Sequence, residues 1–243
     1  MFNVDVSALA SPAFDRANKA SVEIARIIER CIKESNAVDL ETLCLIAGQK
    51  VWGLKVDVRV CNYEGNMIDC CTLAALCALL HFRRPDATVV GSSITIHPET
   101  DRHPIPVTLH HLPISSTFAL FSTSAGPVVV VDPSLPEELT ATAIFTIATN
   151  SQRNVCCLHK PGGAAISHEL FKQCMAMSLK RTDALTSYVK GCLDEIAAAR
   201  AAADRALTER SGLEEELGLP APAPPTEKPG QFPLPRPRQE NTL

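Results

Sequence analysis

Three cations are the first residues here whose spacing could do chemistry. Arg26, Arg30 and Lys33 stand at i, i+4 and i+7, which places them on one face of a helix. A row of that kind can meet successive phosphates of a polyanion. It is also the pattern of a solvated helix face, partly neutralised here by Glu23 and Glu29. A second group is acidic. Asp132 ends the apolar run Val128–Val131, and Glu137 and Glu138 follow. Carboxylates near a strand end can transfer protons or hold a divalent ion, although acids in such loops are common. The ten cysteines and seven histidines form no C-x-x-C pattern. The doublets Cys70–Cys71 and Cys156–Cys157, and the pair His110–His111, diverge on either a helix or a strand. No metal site and no cofactor are therefore expected, and the thiols read as small buried fillers.

These groups need elements to hold them. Ser21–Glu34 is amphipathic, with Ile24, Ile27, Ile28, Cys31 and Ile32 on the inner stripe. Phe2, Val4 and Val6 alternate with Asn3, Asp5 and Ser7, which predicts a strand. Val51–Val60 alternates in the same way and is expected to pair with Glu41–Ile46 as a hairpin across Ala47–Lys50. Met67–Phe82 is apolar on almost every side and reads as a central helix, too short for a membrane span. Asp69 suits the start of that helix as an anchor rather than a catalytic acid. Arg83 and Arg84 suit its end, where cations favour the dipole. Gly91–Pro98 reads as a connecting strand. Further strands are expected at Val107–His110, Ile114–Phe121, Val128–Val131, Leu139–Asn150, Asn154–His159 and Ala164–Ile166, with helix in two pieces from His168 to Arg210. Eight prolines crowd the residues after Leu217, so an extended or disordered tail is expected there.

Taken together, the turn N-x-x-G-N-x-x-D (Asn62–Asp69), the small-residue helix after it and the sequence HFRRPD (His81–Asp86) resemble the RNase PH superfamily. Within it they resemble the ring subunits of the eukaryotic RNA exosome. SPAFD (Ser11–Asp15), IIERCIKES (Ile27–Ser35), AGQKVW (Ala47–Trp52), HHLPIS (His110–Ser115) and VDPSLPEE (Val131–Glu138) extend the likeness in order. The resemblance implies an α+β protein. A partial RNase PH-like domain of the ribosomal protein S5 domain 2-like type occupies residues 1–98. An RNase PH C-terminal-like α/β domain occupies 99–210, and a Pro-rich tail 211–243. Family members carry strands ahead of the position of Met1, so the first domain reads as N-terminally incomplete.

The resemblance also implies function. Arg26, Arg30 and Lys33 become RNA-backbone contacts in a ring pore, with Arg30 and Lys33 the better matches. Asp132, Glu137 and Glu138 become a vestigial acidic site. Active relatives carry a Gly-rich phosphate loop and a Q-G-T signature; here Gly162 and Gly163 remain, with Lys160 the nearby cation. No catalytic residue is therefore assigned. The expected role is a non-catalytic channel subunit supporting 3′–5′ RNA processing and degradation. Its expected partners are other RNase PH-like subunits in a hetero-hexameric ring, cap subunits and single-stranded RNA, with no membrane. The alternative is an active phosphorolytic 3′–5′ exoribonuclease using Asp132 and Glu138. A third reading is a truncated product without a role in the complex.

The bulk numbers bound these readings. At 243 residues the chain can hold one large or two small domains. A net charge of −4 gives no global pull toward nucleic acid, so any RNA contact must be local. The start has neither a cationic segment nor an apolar one of the secretory kind, so a reducing compartment is expected. By resemblance that compartment is nucleus, nucleolus and cytoplasm.

Overall fold

The fold was analysed in a computed structural model, which describes residues 1–7, 10, 19–91, 93–98, 101–124 and 126–216. The motif at Ser11–Asp15 and the tail from residue 217 lie outside the described residues. Two units are distinguished, Met1–Leu193 and Asp194–Leu243. The described part of the second is the later portion of one long helix.

The first unit begins with β1 (Phe2–Val6), which pairs in parallel with β4 (Val56–Val60), Phe2 opposite Val56 and Val6 opposite Val60. The alternation in β1 buries Val4 and Val6 and leaves Asn3 and Asp5 exposed. α1 (Lys19–Glu29) runs into a π-helical turn, Arg30–Glu34, and Ala37 N–H bonds back to Ile32 O at 3.0 Å. Ile27, Ile28, Cys31 and Ile32 are almost wholly buried, each apolar side chain contributing about 1.5–3 kcal/mol.

The predicted hairpin divides. β2 (Cys44–Ile46) pairs with the short β3 (Lys50–Val51), and the chain then crosses to β1 at Val56. Side-chain exposure still alternates at every residue from Val51 to Val60. The period of two was sound for the side chains. The backbone ladder breaks because its two ends bond to different strands.

α2 (Met67–His81) follows the turn, with Asn66 at φ 44° before its first residue. Met67, Cys71, Thr72, Ala75, Leu76 and Leu79 are buried with α1 and the β1–β4 pair. Cys70, Ala74 and Ala78 are exposed, so the helix is not enclosed on all sides as its composition predicted. Arg83 donates to Leu80 O at 3.0 Å and caps the helix end. Beyond it, β5 (Arg83–Arg84) pairs with β8 (Ile105–Pro106). The predicted connecting strand is instead half of a hairpin, β6 (Ala87–Val90) with β7 (Ser93–Ile96).

A four-stranded antiparallel sheet follows, in the order β10 (Gly126–Val131), β9 (Ile114–Thr123), β11 (Ala143–Thr149), β12 (Val155–His159). Between β10 and β11 lies α3 (Leu135–Thr140). The strand predicted at Leu139–Asn150 thus starts late, and Ala164–Ile166 forms no strand. Val107–His110 contributes one bridge, Leu109 to Val38.

Helix α4 runs unbroken from His168 to Glu216 rather than in two pieces, and passes the position assigned to the start of the tail. In the first unit it covers one sheet face through Phe118, Phe145, Ile147 and Cys174, with the two phenylalanine rings stacked at 5.3 Å. Thr149 Oγ1 bonds to Ser178 and Thr182 hydroxyls at 3.1 and 2.7 Å. The opposite face carries Thr117, Thr146 and Ala148, toward α2. Every residue of β9 from Ile114 to Leu120 is buried.

Candidate nucleic-acid interface and acid cluster

The three cations occupy α1 and its π-turn. Arg26, Arg30 and Lys33 are all exposed, because the stripe between them is spent on the core. Their surroundings differ. Lys33 Nζ pairs with Glu29 Oε1 at 3.1 Å. Glu23, the other acid of this helix face, meets His159 Nε2 of β12 at 3.0 Å. Arg26 and Arg30 make no side-chain ion pair or hydrogen bond among the described residues. Two of the three cations are therefore open to an external anion. The i→i+5 winding at Arg30–Glu34 is a local departure from α geometry of a kind often seen at functional positions.

Buried under that turn are two thiols. The two thiols act on each other: the neighbouring Cys31 thiol, helped by Arg30, lowers the Cys157 thiol on β12. The Cys31 thiol is pushed up by the same neighbour and by burial. No local pattern signals this proximity, since the two residues lie far apart in the chain.

The acids gather elsewhere. Asp132 follows β10 at φ 61°, its side chain more than half exposed. It accepts from Asn66 Nδ2 and faces Arg181 Nη2 at 3.9 Å. Asp69, on the first turn of α2, is 6% exposed. Its Oδ2 accepts from Thr117 N–H and from Asn66 Nδ2 at 2.9 Å each, and its Oδ1 accepts from the Thr117 hydroxyl at 2.9 Å. Arg181 Nη2 stands 3.7 Å from the same Oδ2. A buried carboxylate with this many donors is an anchor, as the sequence indicated.

The two glutamates are occupied as well. Glu137 accepts from both the backbone N–H and the hydroxyl of Ser134 at 2.7 Å, closing the first turn of α3. These bonds hold its carboxyl below the ordinary value. Glu138 accepts from the Tyr63 hydroxyl at 2.7 Å and from Asn66 N–H at 2.9 Å. Burial and the Glu138 carboxylate push the Tyr63 phenol well up. Gly65 makes this junction possible: at φ 117°, a Cβ there would lie 2.6 Å from Leu135 N and Pro133 O.

The structure thus brings Asp132 and Glu138 to one joint, with Asn66 touching both, while Glu137 serves only its own helix. It adds Asp69, Asn66, Tyr63, Thr117 and Arg181. Arg181 carried no sequence signal, being one cation of a long polar helix surface. The cavity bordered by Asp69, Cys70, Asp132 and Arg181 has a volume of about 90 Å³, far below the several hundred Å³ usual for an organic ligand. Lys160 is turned onto its own loop, donating to Gly162 O at 2.7 Å and Gly163 O at 3.3 Å. Among the described residues no group of three or more His, Cys, Asp or Glu could hold a metal ion, and no helix is long and apolar enough to cross a membrane.

Comparison with known proteins agrees with this architecture. Residues 1–85 match domain 1 of the 3′ exoribonuclease family, and residues 111–181 match domain 2. The chain is 36% identical to the Bos taurus protein named exosome complex component RRP45, over 79% of this chain and 44% of that one. It is 35% identical to Arabidopsis thaliana RRP45A, over 78% of this chain and 63% of the relative. Against Schizosaccharomyces pombe rrp45 it is 37% identical, over 79% and 66%. The chain thus spans less than half the length of its bovine relative. A chain of the structure titled "archaeoglobus fulgidus exosome with RNA bound to the active site" superposes with a TM-score of 0.64 at 29% identity, over 76% of this chain and 68% of that one. An archaeal exosome core gives 0.61 at 27%, over 78% and 68%. With both family domains matched in order and the relatives at 35–37% identity over more than three quarters of this chain, the chain belongs to the 3′ exoribonuclease, or RNase PH, family.

Proposed function

We propose that this chain is a ring subunit of an RNA exosome that builds and lines an RNA channel without cutting RNA itself. One observation carries the reading. The acids that would have to do chemistry are already engaged: Asp132 accepts from Asn66 and faces Arg181, Glu138 accepts from Tyr63 and Asn66, and Glu137 closes α3. Carboxylates that already hold the protein's own donors are poorly placed to bind a metal or shuttle protons. Meanwhile Arg26 and Arg30 remain exposed and unpaired among the described residues, as phosphate contacts require. The names of the relatives support the exosome as the setting. On this reading the partners are other RNase PH-like subunits, cap subunits and single-stranded RNA. The work is rRNA maturation and mRNA turnover, in the nucleus, nucleolus and cytoplasm.

The test is reconstitution with the other ring subunits. Arg30→Glu combined with Lys33→Glu is expected to leave assembly intact and to shorten the RNA segment protected from nuclease. An unchanged protected length would overturn the channel assignment. Incubating the purified chain with single-stranded RNA and inorganic phosphate is expected to release no nucleoside diphosphate, and release would overturn the non-catalytic part.

A further inference from the structure

The two thiols beneath the cation-bearing turn are nucleophiles that the channel reading leaves without a task. Cys31 sits on the inner side of the π-turn Arg30–Glu34 and is fully buried. Cys157 sits on β12, an edge strand of the four-stranded sheet, and is 9% exposed. Both belong to one core cluster, in which β12 packs on the turn. The 3.0 Å contact between His159 Nε2 and Glu23 Oε1 holds the same strand against α1. The next cysteine, Cys156, points to the other side of the strand, with its Sγ 3.7 Å from His111 Nε2.

Two thiols kept side by side can do what neither does alone: one is oxidised and the other resolves it. The roles are unequal. Cys157 retains access from the sheet edge, and its thiolate is favoured by the Cys31 thiol and by Arg30, against burial and Glu34. Cys31 has no access, and its neighbour and burial keep it protonated. With hydrogen peroxide as oxidant, the Cys157 thiolate attacks one oxygen. An S–O bond forms, the O–O bond breaks and hydroxide leaves. The Cys31 sulfur then displaces the sulfenic oxygen. An S–S bond forms, the S–O bond breaks, and the Cys31 proton leaves with that oxygen as water. Two thiols are oxidised and one peroxide is reduced to two waters.

We propose that Cys31 and Cys157 are a peroxide-responsive pair, whose disulfide locks the π-turn and its cations Arg30 and Lys33 onto β12. In a reducing compartment such a bond is transient and regulatory. The cross-link stands apart from the ring reading, while its consequence for RNA rests on that reading. In the reduced chain the Cys157 sulfur attracts the Arg30 guanidinium. In the disulfide that sulfur carries no charge, so Arg30 is released toward phosphate.

The full-length chain, reduced and then exposed to hydrogen peroxide at low protein concentration, is mapped by mass spectrometry without reduction. A Cys31–Cys157 cross-linked peptide, two hydrogens lighter than its two parts, is expected and should vanish on adding dithiothreitol. Cys156→Ser is expected to keep the cross-link. Cys157→Ser is expected to lose it, with its fold checked by far-UV circular dichroism. Absence of the cross-link in the natural chain, or a Cys156–Cys157 link in its place, would overturn the pair. In the assembled ring at low salt, oxidation is expected to tighten single-stranded RNA binding about twofold or more, and to change nothing in Cys157→Ser. Unchanged affinity with the cross-link in place would overturn the lock and leave the ring reading standing. A ring that binds no RNA in either state would overturn the ring reading and leave the pair standing.

Discussion

Asp69 accepts both the backbone N–H and the hydroxyl of Thr117, each at 2.9 Å. One side chain on the first turn of α2 thereby fastens that helix to the middle of β9. Asp69→Ala is expected to cost about 2–4 kcal/mol, because buried donors lose a charged acceptor. Thr117→Val is expected to cost about 1–2 kcal/mol. Urea unfolding of the singles and the double should give a coupling of about 1–3 kcal/mol, and additive costs would refute the fastening.

Gly65→Ala tests the neighbouring junction. The new Cβ would sit 2.6 Å from backbone atoms at the start of α3, at a φ of 117°. A loss of about 2–3 kcal/mol is expected. A second readout is ultraviolet titration of the two tyrosines. Tyr63 is expected to ionise well above the ordinary phenol range in the native chain and to fall back toward it in the variant, as Glu138 moves away.

Glu137 predicts a pH dependence. Its bonds to Ser134 lower its folded-state value below the usual 4.5. A carboxyl lowered on folding stabilises the folded state above its unfolded value, and that contribution disappears as pH falls through the folded one. Thermal midpoints should therefore drop between about pH 5 and pH 3, less steeply in Glu137→Gln. Because the group is exposed, added salt should shrink the difference. Identical pH profiles would count against the α3 role.

Arg26 and Arg30 can be separated from Lys33 by salt dependence. If each arginine meets one phosphate of single-stranded RNA, removing both should flatten the plot of log affinity against log salt by about 1.4 in slope. Lys33→Ala should change the slope least, since Glu29 already holds that ammonium at 3.1 Å. Filter binding with the assembled ring measures this, and a larger effect from Lys33 would invert the assignment.

Much of this architecture could be read from residue order. The bounds of α2 were visible because an apolar run ended at a turn before and a proline after. The alternation from Val51 to Val60 gave the right faces, yet not the break at Trp52–Lys55, which arises from tertiary partners. Leu139–Asn150 was read as one strand because Leu139 and Thr140 suit either state; the capping carboxylate of Glu137 settles the first part as helix. The acids near the end of β10 were visible as residue types, but their roles were not. Glu138 serves Tyr63 and Asn66, more than seventy positions earlier, and no local pattern encodes such a bond. Arg181 and the Cys31–Cys157 contact were hidden for the same reason.

β9 is covered by α2 and α4 on its faces and paired with β10 and β11 on its edges. A segment enclosed on every side cannot fray, so no partial opening exposes its amides to solvent. Deuterium should therefore enter Phe118 and its neighbours last, at a rate set by unfolding of the whole unit, while the β6–β7 hairpin exchanges early.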